Sequence, residues 1–328
     1  MGAANETVQR INRLGLGLSQ LGNMGRVTAD AEAAEVVRTS WDAGVRYYDT
    51  APHYGLGLSE TRAGRLLSEF PREQYLLSTK VGRLLQPSPE TAHRQDDEGF
   101  AVPAALRRVR DYSRDGIRRS LDASLMRLGT DRIDILYLHD PEGHERDALD
   151  NAIPAMAALR DEGTVGAIGV GTKEAGTAAE LTRSGALDLV MIAGRFTLLD
   201  ASARDELFPA AAETATSIVA AGVYNSGLLS RTRPAADAQF EYGPAPTSMI
   251  ERANRIADVC EHFDVDLPTA AVAYCLRDPQ VISVVLGARN GPQAQSNVQR
   301  CARDVPDALW DELRAQQLIH IRPLGENR

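Results

Sequence analysis

Four residues whose side chains can move protons lie at or near the ends of short apolar segments of this chain. Asp49 ends one such segment and Tyr54 follows it closely, whereas Lys80 and His139 end two others. A phenol with a pKa near 10 is a poor acid or base at neutral pH, but a neighbouring ammonium stabilises its phenolate form. Lys80 would tune Tyr54 in this way, Asp49 would keep the ammonium charged, and His139 would orient a substrate oxygen.

Lys80 is unusual for a second reason, because Lys80 and Lys173 are the only lysines among the 36 lysine and arginine residues. A compact ammonium can face a phenol and a carboxylate together, whereas a guanidinium is a wide planar fork. Lys80 is therefore predicted to act in a tight pocket. Lys173 follows the fifth predicted strand and is therefore expected on the same rim as Lys80, where a solvated start to the next helix is favoured over a substrate contact.

Short β-type segments alternate with helical segments along nearly the whole chain. Strands are predicted over 14–18, 45–49, 75–80, 133–139, 165–170, 187–192, 217–221 and 282–286. Helices are predicted over 30–42, 59–68, 115–128, 147–160, 174–183, 202–213 and as a pair within 247–276. Eight β-α units with strands buried on both faces predict a (β/α)8 TIM barrel. A doubly wound sheet is the rival architecture, but its usual glycine-rich dinucleotide fingerprint is missing.

In such a barrel the carboxyl ends of all strands project onto one rim, which would bring the four side chains together. Two connections, residues 83–113 and 225–246, exceed ordinary loop length and follow the third and seventh strands. Long loops at this rim build substrate pockets, so both are expected to lie over the active-site face. No linker or internal repeat is visible, which predicts a single domain over residues 1–328.

Composition excludes several classes of function. Apolar residues make up 43% and charged residues 25%, no apolar run approaches a membrane span, and no secretory signal is visible, so a cytoplasmic protein without a membrane partner is expected. A net charge of −9 disfavours a nucleic-acid partner. Three cysteines without a C-x-x-C pair and six scattered histidines predict neither disulfides nor a metal site. Homo-oligomer formation stays open.

Asp49, Tyr54, Lys80 and His139 resemble, one by one, the Asp-Tyr-Lys-His tetrad of the aldo-keto reductase superfamily. The resemblance covers nearly the whole chain. It implies a (β/α)8 barrel that binds an extended NAD(P) without a Rossmann domain. It also implies hydride transfer between the nicotinamide and a carbonyl or alcohol, with Tyr54 exchanging the proton.

Other segments resemble the cofactor contacts of that superfamily. They are the loop after the first strand beside the nicotinamide, the loop after the seventh strand at the pyrophosphate, and the end of the eighth strand with the next helix at the adenosine half. The cofactor-binding residues implied by the resemblance are Gly22, Asn23, Met24, Gly171, Thr172, Asn225, Ser226, Gly227, Leu228, Gly287, Ala288, Arg289, Gln293 and Asn297. Among them Asn297 occupies the adenine-binding position.

The chain also departs from the superfamily pattern. Gly171 and Thr172 stand where many members have Ser-Asn for the carboxamide. Gly287 and Gln293 stand where NADP-preferring members are basic, so a 2′-phosphate would lose charge-assisted bonds, of which Arg289 would restore one. The expected cofactor is NAD or NADP, with NAD favoured.

Within the superfamily, segments 168–171, 193–200 and 225–229 resemble a bacterial subgroup of sugar and vitamin dehydrogenases. This resemblance implies oxidation of a small polar cyclic hemiacetal, either an aldose such as L-fucose or pyridoxal, to its lactone, with Tyr54 as general base. The alternative enzyme is an NADPH-dependent aldehyde or ketone reductase of broad specificity. The alternative of another class is a cofactor-sensing regulatory subunit, against which the complete tetrad counts.

Overall fold

Eight parallel strands close into a barrel in the computed structural model, which describes residues 3–241 and 243–319. The described residues form twelve strands, of which β4, β5, β10 and β11 lie outside the barrel. In chain order they are β1 (Leu14–Gly17), β2 (Tyr47–Asp49), β3 (Leu76–Val81), β4 (Arg83–Pro87), β5 (Leu106–Arg110), β6 (Ile133–His139), β7 (Val165–Thr172), β8 (Leu189–Ala193), β9 (Ser217–Ala221), β10 (Gln239–Phe240), β11 (Gly243–Pro244) and β12 (Val281–Gly287). The ring order is β1-β12-β9-β8-β7-β6-β3-β2. The predicted barrel is thus confirmed, and the doubly wound alternative is wrong.

Helices surround the barrel at the positions that the β-α alternation predicts. They are α1 (Ala3–Gln9), α2 (Asp30–Asp42), α3 (Leu58–Leu67), α4 (Arg114–Leu128), α5 (Glu145–Asp147), α6 (Ile153–Asp161), α7 (Ala175–Thr182), α8 (Ala203–Thr214), α9 (Thr247–His262), α10 (Leu267–Leu276), α11 (Gly291–Ala302) and α12 (Asp307–Ala315). Helix ends follow local chemistry: Ser113 caps the start of α4, and Gly129 ends it with a φ of +64° that a side chain would resist.

Several boundaries differ from the sequence-based expectation by one or two residues, and two of these differences illustrate local structure. The predicted helix 147–160 starts at Glu145 and contains a π-helical turn, Ala148–Ala152, between α5 and α6. The strand predicted from Val45 starts only at Tyr47, because the Val45 amide donates to the Ser40 carbonyl in the turn after α2.

The barrel interior is a packed core. Its apolar residues include Leu76, Ile135, Leu189, Val219 and Val285, all of which are buried. Side chains from successive strands fill such a barrel in layers, so the barrel has no open channel. Polar side chains cluster in the upper layers at the carboxyl rim, and that is where the candidate site lies.

Both long connections contain strands that the sequence did not reveal. Segment 83–113 holds the antiparallel pair β4 and β5, and segment 225–246 holds the short pair β10 and β11, with residue 242 outside the described residues. The β5 sequence Leu106–Arg110 has three arginines and two apolar residues, so it lacks the apolar content typical of a strand. The β4–β5 pair packs on a small apolar cluster of its own that includes Leu56, Phe100 and Val102.

Within the described residues no helix has the length and apolar character needed to cross a membrane. The single domain over residues 1–328 stays a prediction. Residues 1–2, 242 and 320–328 of that range lie outside the described residues.

Candidate active site

Three neighbouring barrel strands place two polar layers one above the other at the carboxyl rim. Residues two positions apart in a strand point to the same face, and the pairing registers bring Asp49 beside Ser78 and Lys80 beside Tyr137. The upper layer consists of Asp49, Lys80 and His139, and the lower layer of Tyr47, Ser78 and Tyr137. Strand alternation alone therefore brings three of the four predicted residues together.

The centre of the upper layer is a buried ion pair. Lys80 Nζ lies 2.7 Å from Asp49 Oδ2 and donates to the Thr50 carbonyl over 2.9 Å. Only 2% of Lys80 and 3% of Asp49 are exposed. Burial acts to lower the pKa of Lys80, but Asp49 and Tyr54 outweigh it and raise this pKa, so the ammonium keeps its proton.

Tyr54 lies beside this pair, in the turn that follows β2. Lys80 Nζ is 4.9 Å from the centre of the Tyr54 ring. Burial raises the pKa of Tyr54 above its usual value, and the charge of Lys80 acts in the opposite direction. The charge of Lys80 thus acts in the direction that the sequence analysis expected, but burial is the larger effect.

The backbone of Gly22 packs against the backbone of Tyr54 and leaves no room for a side chain at position 22. A Cβ at Gly22 would lie 2.6 Å from the carbonyl carbon and oxygen of Tyr54, which is closer than real Cβ atoms approach. The sequence analysis assigned Gly22 to the cofactor. The structure adds that its backbone packs directly on the turn that carries Tyr54.

His139 completes the upper layer and is kept neutral. Its ring centre is 6.0 Å from that of Tyr54, and burial together with Lys80 and Arg83 holds its pKa well below the usual value. His139 Nδ1 has no hydrogen-bond partner among the described residues. A neutral imidazole in this place can donate a hydrogen bond to a substrate oxygen without releasing a proton.

The lower layer holds Asp49 from beneath, and the sequence analysis missed it. Ser78 Oγ donates to Asp49 Oδ1 over 2.6 Å, and the Tyr47 hydroxyl lies 3.3 Å from Ser78 Oγ and 3.2 Å from the Tyr137 hydroxyl. Both oxygens of the Asp49 carboxylate are therefore engaged. Two-residue spacing from Asp49 and Lys80 was the signal that could have identified Tyr47 and Ser78.

One wall of the site is made by segment 99–101, which reaches across from the connection after β3. The Gly25 amide donates to the Gly99 carbonyl and the Ala101 amide to the Asn23 carbonyl, both over 2.9 Å. Phe100, which is 2% exposed, packs with its ring centre 6.0 Å from that of Tyr54. The loop after β1 and the connection after β3 thus form one continuous surface next to Tyr54.

A cluster of charged residues lines the rim beside His139, and this cluster also escaped the sequence analysis. Arg83 Nη2 lies 2.7 Å from Asp140 Oδ2, which in turn lies 3.5 Å from His139 Nε2. Burial raises the pKa of Asp140 to about 6, although the charges of Arg83 and Lys173 act to lower it. Lys173, expected on this rim at the start of the next helix, is half-buried, and its charge acts on Asp140. The cause is its position after β7, the neighbour of β6.

The connection after β3 supplies the outer part of this cluster. Glu98 lies 3.6 Å from His53 Nδ1 and 3.7 Å from Arg83 Nη1, and Arg108 is paired with Asp96 at 2.6 Å. Burial, with the charges of Arg108 and Arg83, lowers the pKa of His53 to about 2, so His53 is neutral. Glu98 remains 44% exposed and offers a carboxylate to the pocket.

The predicted cofactor residues occupy the opposite arc of the same rim. They follow β1, β7, β9 and β12, which with β8 are contiguous in the ring. Gly287 and Arg289 are exposed at the end of β12, Ala288 between them is buried, and Met24 is 36% exposed after β1. Gly171 pairs with His139 across β6 and β7, which puts this arc in direct contact with the tetrad.

Several of these side chains already have partners in the protein. Asn23 Oδ1 accepts from Thr28 and Arg62, Thr172 Oγ1 bonds to Glu142, and Gln293 Oε1 accepts from the Arg289 amide. Asn297 donates to the Gly287 carbonyl over 3.1 Å and accepts from Tyr224 over 3.2 Å. At Asn23, Thr172 and Asn297, a cofactor contact would therefore use the backbone or replace an existing bond.

The loop after β9 has the features of a binding loop. Asn225, Ser226 and Gly227 have successive φ values of +44°, +59° and +98°, and a run of strained residues is typical of ligand sites. Asn225 Oδ1 is buried without a partner among the described residues, whereas Leu228 is buried as an anchor. An acceptor left open in this way fits a ligand that brings donors, such as the hydroxyl and amide groups of NAD(P). Fold and site together define a barrel enzyme with an acid–base site beside a loop that has an open hydrogen-bond acceptor.

Comparisons with known proteins agree with this class. The profile of the aldo/keto reductase family matches residues 13–317. The chain is 48% identical to the D-threo-aldose 1-dehydrogenase of a Pseudomonas species over 94% of this chain and 95% of that protein, and 35% identical to the pyridoxal 4-dehydrogenase of Microbacterium luteolum over 97% of each. The glycerol dehydrogenase of Gluconobacter oxydans has the same fold, with a TM-score of 0.75 at 22% identity over 97% of this chain and 96% of that one.

The chain belongs to the aldo/keto reductase family. It is an oxidoreductase that acts on CH–OH donors, and its cofactor class is NAD(P). The resemblance stated from the sequence is thereby confirmed.

Proposed function

We propose that this enzyme oxidises the anomeric hydroxyl of a cyclic aldose and releases the lactone. The observation that carries the proposal is the buried Lys80–Asp49 pair beside Tyr54, at a rim whose other wall is charged. The name of the D-threo-aldose 1-dehydrogenase, at 48% identity, supports the substrate class. Charged side chains suit a polyhydroxylated substrate because they form stronger hydrogen bonds than neutral groups do.

In the proposed mechanism the residues of the tetrad handle the proton. Tyr54, as phenolate, takes the proton of the anomeric hydroxyl, and Lys80 stabilises the phenolate by its charge. Asp49 keeps the ammonium charged and in place. Neutral His139 donates a hydrogen bond to the reacting oxygen and so positions it.

NAD(P)+, when bound, supplies the two-electron oxidation by accepting the hydrogen of the reacting carbon together with its electron pair. Asn225 Oδ1, the strained backbone at 225–227 and the exposed end of β12 would hold it, with Leu228 anchoring the loop. We propose a preference for NAD, because Gly287 and Gln293 provide no cation for a 2′-phosphate and Gln293 bonds the Arg289 amide. Arg289 is the remaining cation at that position.

The test is a steady-state assay of the purified enzyme with NAD or NADP and with L-fucose, D-arabinose or pyridoxal, followed by the absorbance of the reduced nicotinamide. We expect turnover of an aldose, with NAD giving the higher kcat/KM, and release of a lactone detectable as its hydroxamate. The control is Tyr54→Phe, which should lower kcat by at least about a hundredfold. Full turnover by Tyr54→Phe would contradict the mechanism.

Pyridoxal is the second candidate substrate, because the pyridoxal 4-dehydrogenase is 35% identical over nearly the whole chain. Oxidation of pyridoxal with silence towards every aldose would favour that candidate. NADPH-driven reduction of simple aldehydes, with no oxidation of either class, would instead support a reductase. Binding of NAD(P) without any turnover would support a regulatory subunit.

A further inference from the structure

Asp140 has an unusual position at the end of β6. In a regular strand successive side chains point to opposite faces, so Asp140 should point away from His139. Its φ is +43°, however, which turns the chain out of the strand. As a result Asp140 Oδ2 lies 3.5 Å from His139 Nε2, and two consecutive residues both reach the site.

The surroundings of Asp140 fix its carboxylate and leave part of it open. Arg83 Nη2 holds Oδ2 over 2.7 Å, and the Asp140 amide donates to the Gly171 carbonyl over 2.9 Å. The Asp140 side chain remains 30% exposed, whereas Arg83 behind it is 12% exposed. A carboxylate that is held at one oxygen and only partly solvated gains from a further hydroxyl donor.

The distance between Asp140 and His139 indicates which substrate hydroxyl could donate to Asp140. His139 is proposed to bind the oxygen on the reacting carbon through Nε2. Asp140 Oδ2, which can accept a second hydrogen bond besides that from Arg83, lies 3.5 Å from this nitrogen. In a sugar ring, the oxygens of neighbouring carbons are separated by a similar step. The hydroxyl on the carbon next to the anomeric centre is therefore the group within reach of Asp140.

We infer that Asp140, held by Arg83, is a specificity-determining residue that accepts a hydrogen bond from the 2-hydroxyl of the substrate. The inference rests on the proposed function and narrows it, because the substrate class becomes aldoses with a free 2-hydroxyl, and 2-deoxy aldoses become poor substrates. Burial raises the pKa of Asp140 to about 6. This supports the inference, because a carboxylate that is incompletely solvated gains from a hydroxyl donor.

The experiment compares an oxidised aldose with its 2-deoxy counterpart in the wild-type enzyme and in Asp140→Asn. Asn is the suitable replacement because it tolerates the left-handed backbone and keeps the shape of the side chain. We expect the wild type to prefer the hydroxylated sugar by about tenfold to a hundredfold in kcat/KM, as for a hydrogen bond to a charged group. In Asp140→Asn, whose amide oxygen is a neutral and weaker acceptor, the ratio should fall by at least about threefold.

The matched control is Asp134→Asn at the start of β6. Asp134 also pairs with an arginine over 2.7 Å, but that partner is Arg72, at the opposite end of the barrel. This variant should keep the wild-type ratio, whereas a merely structural role for Asp140 would make both variants behave alike. If Asp140→Asn does not fold, Arg83→Gln, which removes the residue that holds Asp140, should lower the ratio in the same way.

A wild-type ratio below about threefold, or an unchanged ratio in Asp140→Asn, would overturn the inference. Either result leaves the aldose dehydrogenase itself standing. Absence of turnover with any aldose is a different outcome and overturns the proposed function.

Discussion

Replacement of Lys80 by Met tests the central charge of the site. Lys80 and Asp49 are both buried, so Lys80→Met leaves the Asp49 carboxylate without its cation. Loss of one partner of a buried pair costs about 3–5 kcal/mol of the free energy of unfolding. Asp49→Asn removes the unpaired carboxylate, so the double variant with Lys80→Met and Asp49→Asn should regain most of that free energy of unfolding in urea denaturation.

The effect on catalysis follows from the distance to Tyr54. At 4.9 Å between Lys80 Nζ and the ring centre, and with an effective dielectric constant of about 20, the attraction between ammonium and phenolate is about 3.4 kcal/mol. Because about 1.36 kcal/mol corresponds to a factor of ten, that energy amounts to about a 300-fold change in the population of the phenolate. Oxidation requires the phenolate, so kcat/KM near neutral pH should fall by about 300-fold. Lys80→Arg should lose well over tenfold, because a guanidinium does not fit the same pocket.

The assay is the pH dependence of kcat/KM for aldose oxidation. Burial already raises the pKa of Tyr54, so the wild-type rate should rise with pH into the alkaline range. In Lys80→Met the rise should move to higher pH, and the rate should recover as the pH increases. The control is Lys173→Met, which replaces the other lysine and should leave unchanged the pH at which kcat/KM increases. A loss in Lys80→Met that is equal at every pH would refute this reasoning.

Three further predictions follow from other contacts. Gly22→Ala should lower kcat at least tenfold by displacing the Tyr54 turn, whereas Gly176→Ala in α7, where a Cβ meets only a side-chain oxygen at 3.4 Å, should keep wild-type kinetics. Ser78→Ala should cost about 2 kcal/mol in urea denaturation, because Asp49 Oδ1 loses its 2.6 Å donor, and a cost below about 0.5 kcal/mol would contradict this view. His53 stays neutral in the folded protein, so its contribution to stability is complete above about pH 6.5 and is lost as the pH falls. The free energy of unfolding should therefore decline by about 2 kcal/mol less between pH 6.5 and 5 in His53→Asn than in the wild type. An unchanged decline would show that His53 is protonated in the folded protein.

The sequence predicts the barrel and the convergence of Asp49, Lys80 and His139 because both depend on local rules. Short apolar strands alternate with helices, and parallel strands deliver their last residues to one rim. Tyr54 follows β2 so closely that its place is set by the same rule. The two-residue period of a strand was enough to predict the lower polar layer, which includes Ser78, but the sequence analysis missed it.

Other features depend on contacts between distant segments and cannot be read from the chain. Nothing local indicates that Asp140 leaves the β conformation, or that Arg83 from another strand holds it. The family pattern assigned Asn297 to the adenine, yet its amide is bonded to Tyr224 and Gly287, which are far apart in sequence. The sequence places Lys173 on the rim, but it does not show that the charge of Lys173 acts on Asp140, which follows the neighbouring strand β6.

The hydrogen bonds between the loop after β1 and segment 99–101 restrict how this enzyme can be redesigned. Gly25 and Ala101 join the two segments by backbone atoms, and Phe100 between them packs on Tyr54. A graft that replaces only segment 83–113 would keep both hydrogen bonds and the cover of Tyr54 only if the new backbone ran the same way at residues 99–101 and carried a ring in place of Phe100. Exchange of substrate range by loop transplantation therefore has to treat residues 22–25 and 83–113 as a single module.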